Sequence, residues 1–400
     1  MFKKQFYILA LIIILVLMVG CSLAGDSIFG ESQFRGLDQN SSEMISSNLK
    51  LDNAIGTESV RNEDLIAAQI SPTSTLTATP TSTITSTPTS TEVVYDVGEE
   101  LTIKYLRNLK ISGSEIIFEE KLADRSNYYQ YRVSYISEEN KIYGLLTVPF
   151  TDPPEGGYKA IVFNHGYIPP SIYRTNERYV AYVDYLARSG FVVLKIDYRG
   201  HGESEGEASG TYFSPAYTID SISAFKSLQR LDNIDPKGIG MWGHSMAGNL
   251  VLRAMLIEPD IQAGVIWAGA VYSYDDFSAY GINDTSYRPP PTPESIEGTA
   301  RPRRSQEIFD TYGRPNTSVD YWRAVSLTEN IEFLNSPLQL HHAEDDTVVN
   351  IAYSFDLAVV LQENGKAYEF YTYEGGGHNL ISPAFNTAMQ RTVAFFKENL

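Results

Sequence analysis

The chain has 400 residues, 43% of them hydrophobic, and a formal net charge of −18. That is enough apolar side chain for a substantial core, and too negative a surface to bind nucleic acid or anionic lipid by charge. A single cysteine, Cys21, excludes an intrachain disulfide.

The N-terminal portion reads as a leader. Residues 1–20 have the pattern of a signal peptide: Lys3 and Lys4, then an apolar run from Phe6 to Val19, shorter than the roughly 20 residues a transmembrane helix needs. Leu17-Met18-Val19-Gly20-Cys21 resembles the lipobox of bacterial lipoproteins. The resemblance implies lipidation of Cys21 and an extracytoplasmic domain anchored to the cell membrane; the alternatives are plain secretion or an uncleaved anchor. Residues 21–91 read as a disordered stalk, polar at first. Pro72, Pro80 and Pro88 then punctuate a Thr/Ser tract, an extended composition suited to a spacer.

Residues 92–400 carry the pattern of one folded domain. Tyr128 to Ile136 and Lys141 to Val148 alternate as strands around the turn Ser137–Asn140. Buried strands are expected at Ala160 to Phe163, Phe191 to Ile196, Lys237 to Trp242, Ala263 to Trp267, Pro337 to Leu340 and Tyr368 to Tyr373. Helices are expected at Glu177 to Arg188, Pro215 to Leu231, Asn249 to Ile257, Ala352 to Leu361 and Ala384 to Asn399. Strands separated by helices predict an α/β fold, a mostly parallel sheet covered on both faces and opened by an antiparallel hairpin. Residues 272–335 interrupt the alternation. Rich in Tyr, Pro and Arg, they read as an inserted cap. Tyr272, Tyr274, Tyr280 and Tyr287 are candidates for an aromatic wall, and Arg301, Arg303 and Arg304 for contacts to an anion.

Gly243-His244-Ser245-Met246-Ala247-Gly248 lies between an expected strand and an expected helix. That context makes it a nucleophile elbow, with Ser245 on the turn. A serine needs a base, and the base an orienting acid. Downstream, His341-His342-Ala343-Glu344-Asp345-Asp346 closes a strand, and Gly375-Gly376-Gly377-His378 follows another. His378 is the candidate base. His244, next to the serine, is expected to point away from the base. Asp345 and Asp346 are adjacent, so only one can face His378. The same splaying argues against a metal shared by this cluster, and no cofactor is called for. Asn164-His165-Gly166-Tyr167 ends a buried strand, so the backbone N–H groups of Tyr167 and Met246 are the candidate oxyanion donors.

Taken together, Asn164-His-Gly-Tyr167, Asp197-Tyr-Arg-Gly-His-Gly-Glu-Ser204, Gly243-His-Ser-Met-Ala-Gly248, His341-x-x-x-Asp345-x-x-Val348 and Gly376-Gly-His378 resemble the catalytic domain of the prolyl oligopeptidase family of serine peptidases. The resemblance covers residues 128–400. It implies an α/β-hydrolase fold, a Ser245–Asp345–His378 triad, an acyl-enzyme and short-peptide substrates; the Asp197–Ser204 turn is given a structural role. Residues 92–127 leave no room for the family's β-propeller, and His342-Ala343 replaces its usual His-Gly. Similar domains without a propeller include acetyl and carboxyl esterases, so hydrolysis of small or carbohydrate esters is the alternative. A tethered binding module with a dead site is the third.

Overall fold

A computed structural model describes residues 95–283 and 304–400. The expected signal peptide, Cys21, the stalk and residues 284–303, with Tyr287, Arg301 and Arg303, lie outside the described residues. The expected hairpin is the long antiparallel pair β2 (Tyr128–Ser137) and β3 (Asn140–Pro149), preceded by an edge strand β1 (Ile117–Lys121). β3 pairs antiparallel with β5 (Val192–Ile196). From there the sheet is parallel through β4 (Tyr158–Asn164), β6 (Ile234–His244), β7 (Gly264–Trp267), β8 (Leu338–Ala343) and β9 (Tyr368–Tyr373). The nine strands run in the order β1-β2-β3-β5-β4-β6-β7-β8-β9.

The central strands are buried along most of their length because both faces are covered. On one face, α2 (Val180–Arg188) and α9 (Phe385–Asn399) bury Val183, Leu186, Phe395 and Phe396 against Phe163, Trp242 and Trp267. On the other lie α1 (Ile103–Asn108), α3 (Ala216–Leu228), α4 (Met246–Ile257) and α8 (Ala352–Glu363). Every residue of α4 is buried, which makes it the most enclosed helix around the site.

The described part of the insertion is helical: α5 (Tyr274–Tyr280), α6 (Arg304–Tyr312) and α7 (Asp320–Val325). Several of its aromatic residues serve the core. Tyr272 and Tyr274 are buried, and Tyr312 stacks on Tyr321 with centroids 4.0 Å apart. Among the described residues, no helix is long and apolar enough to cross a membrane.

Candidate active site

Ser245 is the single residue between β6 and α4, at φ 57° and ψ −121°. A side chain in that region costs on the order of 1–3 kcal/mol, so the surroundings must impose it. They do so through Ser245 N–H donating to Trp267 O (2.9 Å) and Gly248 N–H donating to Ser245 O (2.9 Å). Close approach of α4 to β6 and to the segment after β7 explains the small residues. A Cβ on Gly243 would lie 2.6 Å from Ala247 O, and one on Gly248 would lie 2.6 Å from Gly269 Cα. Ala247 itself is fully buried, so its methyl fits where a glycine is more usual.

His378 Nε2 lies 2.9 Å from Ser245 Oγ, and its Nδ1 lies 2.8 Å from Asp346 Oδ2. The expected acid, Asp345, is not the one that faces the base. Its carboxylate accepts from Gly377 N–H (2.8 Å) and Gly376 N–H (3.3 Å), and so fixes the glycine loop that carries His378. The reason is the turn after β8. Asp346 Oδ1 accepts from Val348 N–H (2.8 Å) and Val349 N–H (3.0 Å), which aims Oδ2 at the imidazole and throws Asp345 to the other side. Registering the acid motif on His342-Ala343 instead of His341 puts the aspartate at 346 and the valine at 349. Burial works against charge on Asp346, but hydrogen bonds from His342 and His378 outweigh it and hold the carboxyl well below the usual range. His341, His342, Glu344 and Asp345 each have protein partners, and among the described residues no such group is placed to hold a metal ion.

His244 does not point away from the base. Its Nε2 donates to the His378 backbone carbonyl (2.8 Å), and the two rings are 4.7 Å apart. Burial first, then the neighbouring His378, pushes the His244 value down to about 3, so the ring is neutral. Nδ1 then accepts from Tyr179 Oη (2.7 Å), which in turn accepts from Gly166 N–H (2.9 Å). This relay joins the Gly166–Tyr167 turn to the base. Gly166 lies hard against the nucleophile: a Cβ there would sit 3.1 Å from Ser245 Cβ. Met246 is the first residue of α4, where an N–H has no partner within the helix and faces outward with the positive end of the dipole.

Tyr179 was not legible as a site residue. It sits at φ 58° just before α2, which is why that helix starts at Val180 and not at Glu177. The buried Lys195 ammonium fixes its loop by donating to the carbonyls of Thr175 and Arg178. Lys195 lies beside Asp197, which accepts from Tyr173 Oη (2.5 Å) and from Thr175. The Asp197–Ser204 turn therefore braces the wall of the site, as its structural reading expects.

A cavity of about 320 Å3 opens over Ser245, lined by Tyr167, Ile168, Arg178, Tyr179, Tyr182 and Ile381 around the Ser245–His378 pair. None of these residues comes from the described part of the insertion. The expected aromatic wall exists, but it is built by Tyr167, Tyr179 and Tyr182. Tyr274 Oη instead donates to Tyr212 O, Tyr280 Oη to Asp356 (2.6 Å), and Arg304 pairs with Glu100.

A built serine–histidine–aspartate relay on a strained turn at the carboxyl end of a parallel strand is the arrangement that activates a hydroxyl. By fold the chain is an α/β-hydrolase, and its site has the geometry of a serine hydrolase. The sequence profile described as serine aminopeptidase, S33 matches residues 158–285. That described as BAAT / acyl-CoA thioester hydrolase C terminal matches residues 222–400. Human "Protein ABHD12B" is 25% identical over 229 residues, 56% of this chain and 57% of that protein. The "Uncharacterized peptidase YtmA" of Bacillus subtilis (strain 168) is 25% identical over 273 residues, 67% of this chain and 93% of that one. Among solved structures, acetyl xylan esterase 1 from Thermoanaerobacterium sp. JW/SL YS485 shares the fold with a TM-score of 0.53 at 16% identity, over 74% of this chain and 93% of the esterase. The chain spans little more than half the length of the human protein, and its overlap with the two families is partial.

Proposed function

We propose that this α/β-hydrolase hydrolyses carboxylic esters through an acyl-enzyme on Ser245. The 2.9 Å and 2.8 Å contacts that join Ser245, His378 and Asp346 in one line carry the reading. As Ser245 Oγ attacks the acyl carbon, His378 Nε2 takes its proton and Asp346 stabilises the resulting imidazolium. The N–H groups of Met246 and Tyr167 receive the developing oxyanion. His378 then protonates the leaving alcohol, and a water activated by the same ring releases the acid and restores Ser245.

The lining of the cavity favours an ester over a peptide with a free amino terminus. A peptide amine needs a carboxylate partner, and the charged side chain that lines this cavity is Arg178. A second reading, cleavage of short peptides, is favoured by the serine aminopeptidase profile over residues 158–285. The chemistry is the same and the leaving group is an amine. On the N-terminal side, the proposal is a lipid-anchored extracytoplasmic enzyme, tethered through Cys21 and the 21–91 stalk.

The test compares kcat/KM on short acyl esters and on aminoacyl and dipeptidyl anilides, with Ser245→Ala as the blank. Ester turnover without anilide turnover supports the proposal. Efficient anilide cleavage replaces it with the peptidase reading.

A further inference from the structure

Two further cavities adjoin the one over Ser245 through shared residues. Arg178 lines both the Ser245 cavity and a neighbouring one of about 220 Å3, whose walls include Arg125, Tyr128, Gln130 and Asn176. On the opposite side, Tyr182 and Ile381 line both the Ser245 cavity and a cleft of about 280 Å3 formed with Ala181, Pro383 and Phe385. The arginine-bearing end therefore sets two cations among apolar side chains (Leu122, Leu145, Val180 and Val183), and the other end carries no charged side chain.

The cationic end stands out against the chain's net charge of −18. Neither Asp nor Glu is among the described residues lining these three cavities. Arg125 Nε donates to Gln130 Oε1 (2.8 Å), a neutral partner that orients the guanidinium without neutralising it. Of the nearby carboxylates, Asp184 is already engaged by Tyr128 Oη (2.9 Å) and by Arg188 (3.7 Å), and Asp124 pairs with Lys121 (3.3 Å). The loop that carries Arg178 is held by Lys195 (3.2 Å to the Arg178 carbonyl), which fixes the backbone from which the exposed guanidinium extends. At the apolar end, Ile381 is 60% exposed beside the catalytic histidine's loop, an arrangement that water does not favour and an alkyl chain would.

We propose that the Ser245 site takes an ester that is apolar at one end and anionic at the other. The alkyl portion lies along Tyr182, Ile381 and Phe385, and Arg178 with Arg125 binds a phosphate or carboxylate. Guanidinium groups suit such oxygens because their N–H groups form a planar fork. The reaction remains plain hydrolysis: the acyl C–O bond breaks, Ser245 Oγ carries the acyl group, and water delivers the acid. This substrate class rests on the acyl-transfer reading, but its binding test does not need turnover.

The full-length Ser245→Ala variant is titrated by calorimetry with octyl phosphate, octyl glucoside and inorganic phosphate. Octyl phosphate is expected to bind at least tenfold more tightly than either of the others, and to weaken as salt is raised. Arg178→Gln in the same background should cost tenfold or more, and Arg178→Lys less. Equal binding of octyl phosphate and octyl glucoside overturns the anion site. Inorganic phosphate binding as well as octyl phosphate overturns the apolar half, and an unchanged Arg178→Gln overturns the assignment of Arg178. The unsubstituted enzyme is then assayed on octanoylglycerol phosphate and octanoylglycerol. Selective binding of octyl phosphate with no hydrolysis of either ester would leave the anion site standing and remove the ester reading. Equal hydrolysis of both, without selective binding, would do the reverse.

Discussion

Asparagine substitutions at the two adjacent aspartates separate their roles. Asp346 accepts from His378 Nδ1–H and from the Val348 and Val349 N–H groups, with His342 Nε2 3.2 Å away. Asp346→Asn keeps the shape but turns an amide N–H toward His378 Nδ1. The ring then keeps its proton on Nε2, the atom that must accept from Ser245, and the imidazolium loses its counter-charge. Losses of on the order of 10^4 in kcat accompany the equivalent change in a serine protease triad, about 5.5 kcal/mol of barrier. The expected fall in kcat here is 10^3- to 10^4-fold on an activated ester such as p-nitrophenyl acetate. Asp345→Asn instead weakens two backbone contacts, at 2.8 Å and 3.3 Å, to the loop that carries His378. That should cost about 1–3 kcal/mol of stability and less than about 30-fold in kcat. Urea denaturation of both variants separates misfolding from lost chemistry. Asp346→Asn retaining a tenth of the activity while Asp345→Asn abolishes it would refute the reasoning.

Ser245→Gly relieves the backbone at φ 57°, so it should raise stability by about 1–2 kcal/mol in urea while reducing hydrolysis to the Ser245→Ala level. Tyr179→Phe leaves Gly166 N–H without its acceptor and His244 Nδ1 without its donor, and kcat on esters should fall about tenfold or more with KM little changed. Burial first, then the charges of Asp356 and Asp275, pushes the Asp276 carboxyl up to about 7. In the unfolded chain it titrates near ~3.9, so from about pH 4 to 7 the folded state keeps a proton that the unfolded state has lost, and stability falls as pH rises. Asp276→Asn should therefore add about 1–2 kcal/mol at pH 8, after discounting for partial exposure, and nothing at pH 4; an equal gain at both would contradict the cause assigned.

The sheet was legible where periodicity and burial coincide. Alternation from Tyr128 and the apolar runs of β4 and β5 are the direct signatures of half-buried and fully buried strands. β1 was not, because Ile117 and Phe118 are about half exposed on an edge strand and the segment shows no inward stripe. α1 has only six residues, too short for a periodic face, although Thr102 marks its start by accepting from Tyr105 N–H (3.2 Å). α6 and α7 lie in the insertion, where α6 buries only Ile308 and α7, though rich in aromatic residues, has only six residues and no room for a periodic face.

The site divides along a different line. Ser245 and His378 were legible because each sits in a local frame, an elbow and a glycine loop, that the chain writes within a few residues. The choice between Asp345 and Asp346 depends on how one turn folds its own N–H groups back onto Oδ1, and spacing counted from His341 selects the neighbour. Tyr179 depends on contacts that no local pattern records. Its hydroxyl meets Gly166 from one strand end and His244 from another, and its backbone is set by Lys195 on a third. His244 follows the same logic. Alternation along β6 turns its side chain opposite to its neighbours, but the carbonyl it finds belongs to a loop 134 residues away. Ser245 and His378 therefore leave a signature in sequence, and the acid leaves one that narrows only to a pair. Residues that hold those groups in register with one another leave theirs only where the strands converge.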